Sequence, residues 1–174
     1  MDWKNSNWAR GAWTVLRVYL GYSWLTSGFE KVFGEGSGVW VGDRAGTAVG
    51  GFLNNALTKT SGQHPDVQWW YAWFIQHIAL PNVKLFSYSV AWGELLIGIA
   101  LILGGFTTAA LLAGMFLNFN YLLAGSVSVN PIFILEAGVL LWAGAAAYYW
   151  GLDRYLAPRF KEIPFLRLRP KPST

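Results

Sequence analysis

The stretch "WGELLIGIALILGG", Trp92 to Gly105, sets a carboxylate inside an apolar run, and no other feature constrains the fold as tightly. Bulk lipid penalises an ionised Glu by roughly 2.5–3.5 kcal/mol on insertion scales. Glu94 therefore requires a polar partner within the fold. Composition says the run is not an accident: of 174 residues, 54% are hydrophobic and only 13% charged. Soluble domains carry about a quarter charged residues. With 11 Trp, 8 Tyr and 11 Phe besides, one small soluble core could not hide the apolar surface. The bias points to a membrane protein of a length that suits one domain.

Several chemistries are excluded at once. The chain has no cysteine, so it supplies no disulfide relay, thiolate metal site, iron–sulfur cluster or Cys nucleophile. Its two histidines, His64 and His77, are too few for a His-rich metal site and read as ordinary polar residues of one loop. No Gly-rich dinucleotide motif, flavin signature or haem pair is visible. The pI near 9.4 comes from basic residues beside apolar spans, which membrane orientation explains better than nucleic acid does.

Crossing a bilayer takes about 20 apolar residues, and four segments qualify, at residues 11–33, 84–104, 107–126 and 131–150. Arg17 interrupts the first, and no small-residue cleavage site follows it, so it reads as a retained helix rather than a signal peptide. The uncharged links "GGFTT" and "SVSVNP" make the last three segments tight antiparallel hairpins. Positive charge sets the orientation. Lys4 and Arg10 precede the first span, and the tail at 158–174 is basic, so both termini belong in the cytoplasm. The loop at 34–83 then lies outside. Its "DRAGTAVGGFLNNALTKT" predicts an amphipathic helix capped by Asp43. Its "HPDVQWWYAWFIQHIALPN" is too short to cross, and should lie in the headgroup layer or cap the bundle. The expected architecture is an all-α, integral membrane four-helix bundle with a Trp-rich outer loop, residues 1–157 forming one domain.

Inside the bundle, spacing picks out polar faces. Arg17, Gly21, Trp24, Gly28 and Lys31 share one face of the first helix, and its glycines invite a close neighbour. Ser87, Ala91, Glu94 and Gly98 form a stripe on the second; Gly114, Asn118, Tyr121 and Gly125 form one on the third. At 1.5 Å per residue, Arg17 lies about 9 Å and Glu94 about 15 Å from the inner ends of their spans. That predicts an Arg17–Glu94 pair, with Asn118 and Trp24 at the same level. A second pair, Lys31–Glu136, is expected near the outer side. Two readings of this centre stand side by side: structural pairing, with Arg17 snorkelling and Glu94 a neutral acid bonded to Asn118, or a functional pocket.

Three segments, "RVYLGYSWLTSGFEKVFG", "VAWGELLIGIALILGGFTTAALLAGMFLNFNYLLAGSVSVNP" and "WGLDRYL", resemble the DoxX/DoxD-like family of small membrane proteins. The likeness covers about residues 11–157, in the family's order. It implies a four-helix membrane bundle and a connection to quinone, since the family is named partly for the membrane subunit of a thiosulfate:quinone oxidoreductase. A quinone needs aromatic walls, donors for its carbonyl oxygens and a proton source. Trp24 and Tyr121 are candidates for the walls, Asn118 and Arg17 for the donors, and Glu94 for the protons. Outer cations Lys31, Arg44, Lys59 and Lys84 would attract a sulfur anion. Electrons would come directly from that donor or through a redox partner subunit. Two alternatives use the same chain: a binding or transport protein for a small molecule, and a scaffold holding a soluble partner by the tail "RFKEIPFLRLRPKPST". The tail equally suits anionic lipid, and a homo-oligomer is compatible with either.

Overall fold

The computed structural model describes residues 3–160. The basic tail lies, from residue 161 onward, outside the described residues. All regular structure among those described is helical. A 3-10 turn at Trp3–Asn5 leads into α1 (Asn7–Phe33), followed by α2 (Ser37–Trp40), α3 (Thr47–Leu57) and α4 (Trp69–Phe74). A π-helical turn, Ile75–Ala79, extends α4. Then come α5 (Val83–Leu103), α6 (Thr107–Leu123), α7 (Asn130–Ala143) with a 3-10 turn at Gly144–Ala146, and α8 (Asp153–Phe160).

The boundaries have local causes. Ser6 caps α1 by accepting from the Ala9 amide, so the helix begins ahead of the expected residue 11. Gly104, at φ 65°, ends α5 in the left-handed conformation that favours glycine. Pro131 sits in the first turn of α7, where its missing N–H costs nothing. The expected span to residue 150 is too long, because Gly144 turns to φ 59° and stops the α-helix. Nor does Asp43 cap the outer helix. Gly46, at φ 96°, packs against Val83 and Lys84, and the helix starts after it at Thr47.

One helix among the described residues, Val83–Leu103, is long and apolar enough on its own to cross a membrane, with a mean hydropathy of 1.7. Thr107–Leu123 and Asn130–Ala146 are apolar but shorter. In α1, 27 residues long, Arg10, Arg17, Glu30 and Lys31 dilute the apolar character.

The long helices share one core. α1 packs against α5 and α7, and α6 against α5 and α7. Leu20, Trp24, Leu101, Leu111 and Leu140 meet at the centre. The α1–α5 contact is the tightest, as its glycines foretold. A β-carbon on Gly28 would overlap the backbone of Glu94 and Leu95, and one on Gly98 would overlap that of Leu25. Gly21 lies opposite Leu101 and Ile102. The two helices therefore run antiparallel, with Gly21 level with Leu101 and Gly28 level with Glu94.

That register corrects the expected Arg17–Glu94 pair. Glu94 sits beside Ser27, and ten residues, or about 15 Å of helix, separate Arg17 from Ser27. The depth argument failed because α1 is displaced along α5, its first turns projecting beyond the α5–α6 link. Arg17, 1% exposed, instead caps helix ends. Its Nε donates to the Ala147 carbonyl at 2.9 Å, its Nη1 to those of Leu101 and Ile102, and its Nη2 to that of Trp150. The orphan carbonyls at the end of α5 thus meet a cation, which their partial negative charge favours. Next to it Asp153, in "WGLDRYL", accepts from the Phe106 and Thr107 amides at 2.7 Å each and caps the start of α6.

The segment between α1 and α5 folds over the opposite end. Val49, Leu53 and Ala56 of α3 pack with Val67, Tyr71, Ile75 and Ala79. Tyr71 Oη donates to the Asn120 carbonyl and Oδ1, which ties α4 to the last turn of α6. Trp69, Trp70 and Trp73 stay exposed.

Candidate functional site

Glu94 lies on the buried face of α5, 3% exposed, where α1 comes closest. Both carboxylate oxygens are satisfied by side chains. Oε2 pairs with Lys31 Nζ at 2.5 Å and accepts from Ser27 Oγ at 2.8 Å. Oε1 accepts from Tyr121 Oη at 2.6 Å. Lys31 also donates to Ser27 Oγ at 2.6 Å, and its ammonium lies 5.0 Å from the centre of the Trp40 ring. Ser87 Oγ holds Trp40 in turn, donating to its carbonyl at 2.6 Å.

Ser27 and Lys31 can both reach Glu94 because they stand four residues apart on α1, one above the other. Gly28 brings that face close enough. Tyr121 arrives from α6. One carboxylate therefore joins three helices. Lys31–Glu94 is the one ion pair among the described residues, and it replaces the expected Lys31–Glu136 pair. Glu136 lies apart on α7, with Oε2 buried and without a hydrogen-bond partner. Lys31 is drawn to Glu94 because the close α1–α5 approach puts that carboxylate within its reach.

The charged group stands at the edge of a cavity of about 580 Å³. Ser27, Lys31, Glu94 and Tyr121 line its polar end, and Trp40, Phe52, Phe74, Phe86 and Phe116 supply aromatic wall. Leu53 and Val49 from α3 form part of the roof. Phe52 meets the Tyr121 ring edge to face, with centroids 6.1 Å apart. Volume and lining match small-molecule sites, which hold about 300–1,000 Å³, mostly apolar, with a few fixed polar groups. Tyr71 of α4, which also lines the cavity, keeps its hydroxyl as a donor: burial pushes its pKa up to about 12.

The structure thus gathers Glu94, Lys31 and Tyr121 from the predicted residues and leaves the others elsewhere. Arg17 is at the opposite end. Trp24 packs in the core against Phe133, with ring centroids 6.0 Å apart, and against Gly114. Asn118 is buried in α6, but the side chains that bond Glu94 are those of Ser27, Lys31 and Tyr121. Of the outer cations, Lys31 is held by Glu94, and Lys59 donates to the Gly125 carbonyl at 2.7 Å.

Sequence reasoning missed Ser27, Trp40, Phe52, Phe74 and Phe86. Ser27 was legible as the residue four before Lys31. The aromatics carried no signal, because they belong to the outer loop and the start of α5, whose position over α6 depends on tertiary contacts.

Residues 3–13 and 142–150 hold another aromatic group, at the end of α1 remote from the cavity. Trp3 contacts Trp8, Trp13 and Trp142, with centroids 5.9–6.3 Å apart. Lys4 lies over Trp142, and Arg10 and Arg154 both over Tyr149. No curated protein and no solved structure matches the chain. The family model for DoxX matches residues 12–125, a stretch from α1 through the cavity-lining turns of α6, and the chain is a member of the DoxX family, whose proteins associate with membranes.

Proposed function

We propose that this chain is a quinone-linked oxidoreductase, or the membrane subunit of one, and that the cavity beside Glu94 binds the quinone head. The observation that carries the reading is the pairing of a mostly aromatic cavity with a fully hydrogen-bonded Lys31–Glu94–Tyr121 centre at one end. The residues fit the group. Phe52, Phe74 and Trp40 offer flat apolar walls, and Lys31 offers N–H donors to a carbonyl oxygen.

Bound quinone supplies a two-electron acceptor that also takes up two protons. If thiosulfate is the donor, two ions join through a new S–S bond and release two electrons but no proton. Both protons must then pass through the protein. The Glu94 carboxylate accepts from Tyr121 Oη, Ser27 Oγ and Lys31 Nζ and so joins three proton-bearing groups into one hydrogen-bonded path at the cavity wall, along which protons reach the quinone oxygens. Trp40, Phe52 and Phe74 keep bulk water from that centre. The electron donor acts from the outer side or through a partner subunit.

In this reading α1, α5, α6 and α7 form a four-helix membrane bundle in one domain, both termini cytoplasmic. The aromatic groups at the two ends support it, since Trp and Tyr gather at membrane interfaces: Trp3, Trp8 and Trp142 at one, Trp69, Trp70 and Trp73 at the other. A binding or transport protein would use the same cavity without redox change.

Mass spectrometry of small molecules extracted from purified protein tests the proposal. Quinone in wild type, depleted at least tenfold in Glu94→Gln, is the expected result. No quinone in folded wild-type protein refutes it. Uptake of a solute into vesicles without quinone reduction would favour transport.

A further inference from the structure

The Glu94 cavity is not enclosed on all sides. Residues that line it also stand on the outer surface of the helices: Leu85, 65% exposed, and Ser89 on α5, and Phe116, 67% exposed, on α6. Leu85 and Ser89 are four apart and form a ridge on α5; Phe116 and Asn120 form one on α6. Toward the hairpin the slit closes, for Leu117 lies 3.9 Å from where a β-carbon on Gly93 would sit. Phe52 and Phe74 cover it from the outer loop. The cavity therefore has a charged end, at Lys31 and Glu94, and a mouth between α5 and α6 where Leu85 and Phe116 expose apolar surface.

We infer that the cavity is a slot open sideways to the outer leaflet, built for a molecule with a polar ring and a long hydrocarbon tail that leaves between Leu85–Ser89 and Phe116. This rests on the quinone reading above and makes it specific: an isoprenoid-tailed quinone, entering from lipid, not a compact quinone entering from water. The mouth accounts for the choice. Leu85 and Phe116 on its rims are exposed and apolar, and a hydrocarbon tail lying across them sets apolar surface against apolar surface, which a polar substituent would not do. A bare quinone ring would fill only part of about 580 Å³ and would leave the mouth unlined.

The test uses full-length protein in phospholipid nanodiscs, with an isoprenoid quinone and its tail-less ring analogue. Wild type binds the tailed compound at least tenfold more tightly. Leu85→Trp, which narrows the mouth, removes that advantage. Because the chain has no cysteine, Ser89→Cys carries a single nitroxide. Oxygen dissolved in the bilayer should relax it more strongly than a water-soluble nickel chelate does, and only the tailed quinone should immobilise it. Equal affinities for both quinones, with Leu85→Trp without effect, overturn the slot and leave the quinone site standing. A nitroxide relaxed chiefly by the nickel chelate also overturns the slot. If neither quinone binds, the proposed function falls, and the nitroxide alone decides whether the mouth faces lipid.

Discussion

Lys31→Met measures how far the Glu94 centre depends on its charge partner. The ammonium is 16% exposed at its side chain and the carboxylate 4%, with 2.5 Å between them. Removing one partner of a buried pair costs about 3–5 kcal/mol, because a buried charge is left uncompensated. Two features reduce that here. Ser27 and Tyr121 still donate to the carboxylate, and Lys31 is not fully desolvated. The expected loss is about 2–3 kcal/mol. Glu94→Gln leaves the ammonium near Trp40 with some access to the outer surface, and should lose about 1–2 kcal/mol. In the double variant no charge is stranded, so the two effects should fall short of additivity by about 1.5 kcal/mol or more. Reversible unfolding in mixed micelles, followed by Trp fluorescence, completes the cycle. Additivity to within about 0.5 kcal/mol would refute the argument that the pair is coupled and buried.

Further outcomes follow from the packing, the caps and one buried hydroxyl. Gly28→Ala should destabilise by about 3 kcal/mol or abolish folding, since its β-carbon meets the α5 backbone. Gly138→Ala, with open space around it, should be neutral or stabilising by up to about 1 kcal/mol; a thermal melt of both separates close approach from helix propensity. Asp153→Ala removes two hydrogen bonds of 2.7 Å from a carboxylate to the start of α6, and should lower stability by about 2–3 kcal/mol in the same unfolding assay. Tyr71 has its folded pKa raised from 10.0 to about 12, so its contribution is full below pH 10 and lost as pH rises through 12. Stability should fall by about 2–3 kcal/mol across that window, and a titration of Tyr71→Phe should lack this part of the slope.

What could be read from residues alone was whatever depends on one helix at a time. Spacing identified the glycine face of α1 and its role as the closest contact. It placed Lys31 and Tyr121 on inward faces and singled out Glu94. The helix ends near residues 84, 104 and 107 were visible because Gly104 and the turn that follows are local signals. The partner of Glu94 was not visible. Choosing between Arg17 and Lys31 required the offset of α1 along α5, and both residues lie on the same face, so periodicity treats them alike. Asn118 and Trp24 were misplaced for a related reason. An inward stripe has an upper and a lower part, and which part meets a cavity depends on where the neighbouring helices separate.

The apolar composition, the glycine spacing and the lone carboxylate in its apolar run were enough to determine a helical, membrane-associated chain with a polar centre inside it. Tertiary structure decided the register, and with it that Lys31 reaches Glu94 while Arg17 binds helix ends. It also decided that the segment between α1 and α5, folding back over α5 and α6, supplies the aromatic cover of the cavity. Sequence periodicity reports rotation about a helix axis, which side-chain chemistry sets locally. Translation along that axis is set by backbone contacts such as Gly28 against Leu95, which exist only once two helices have met.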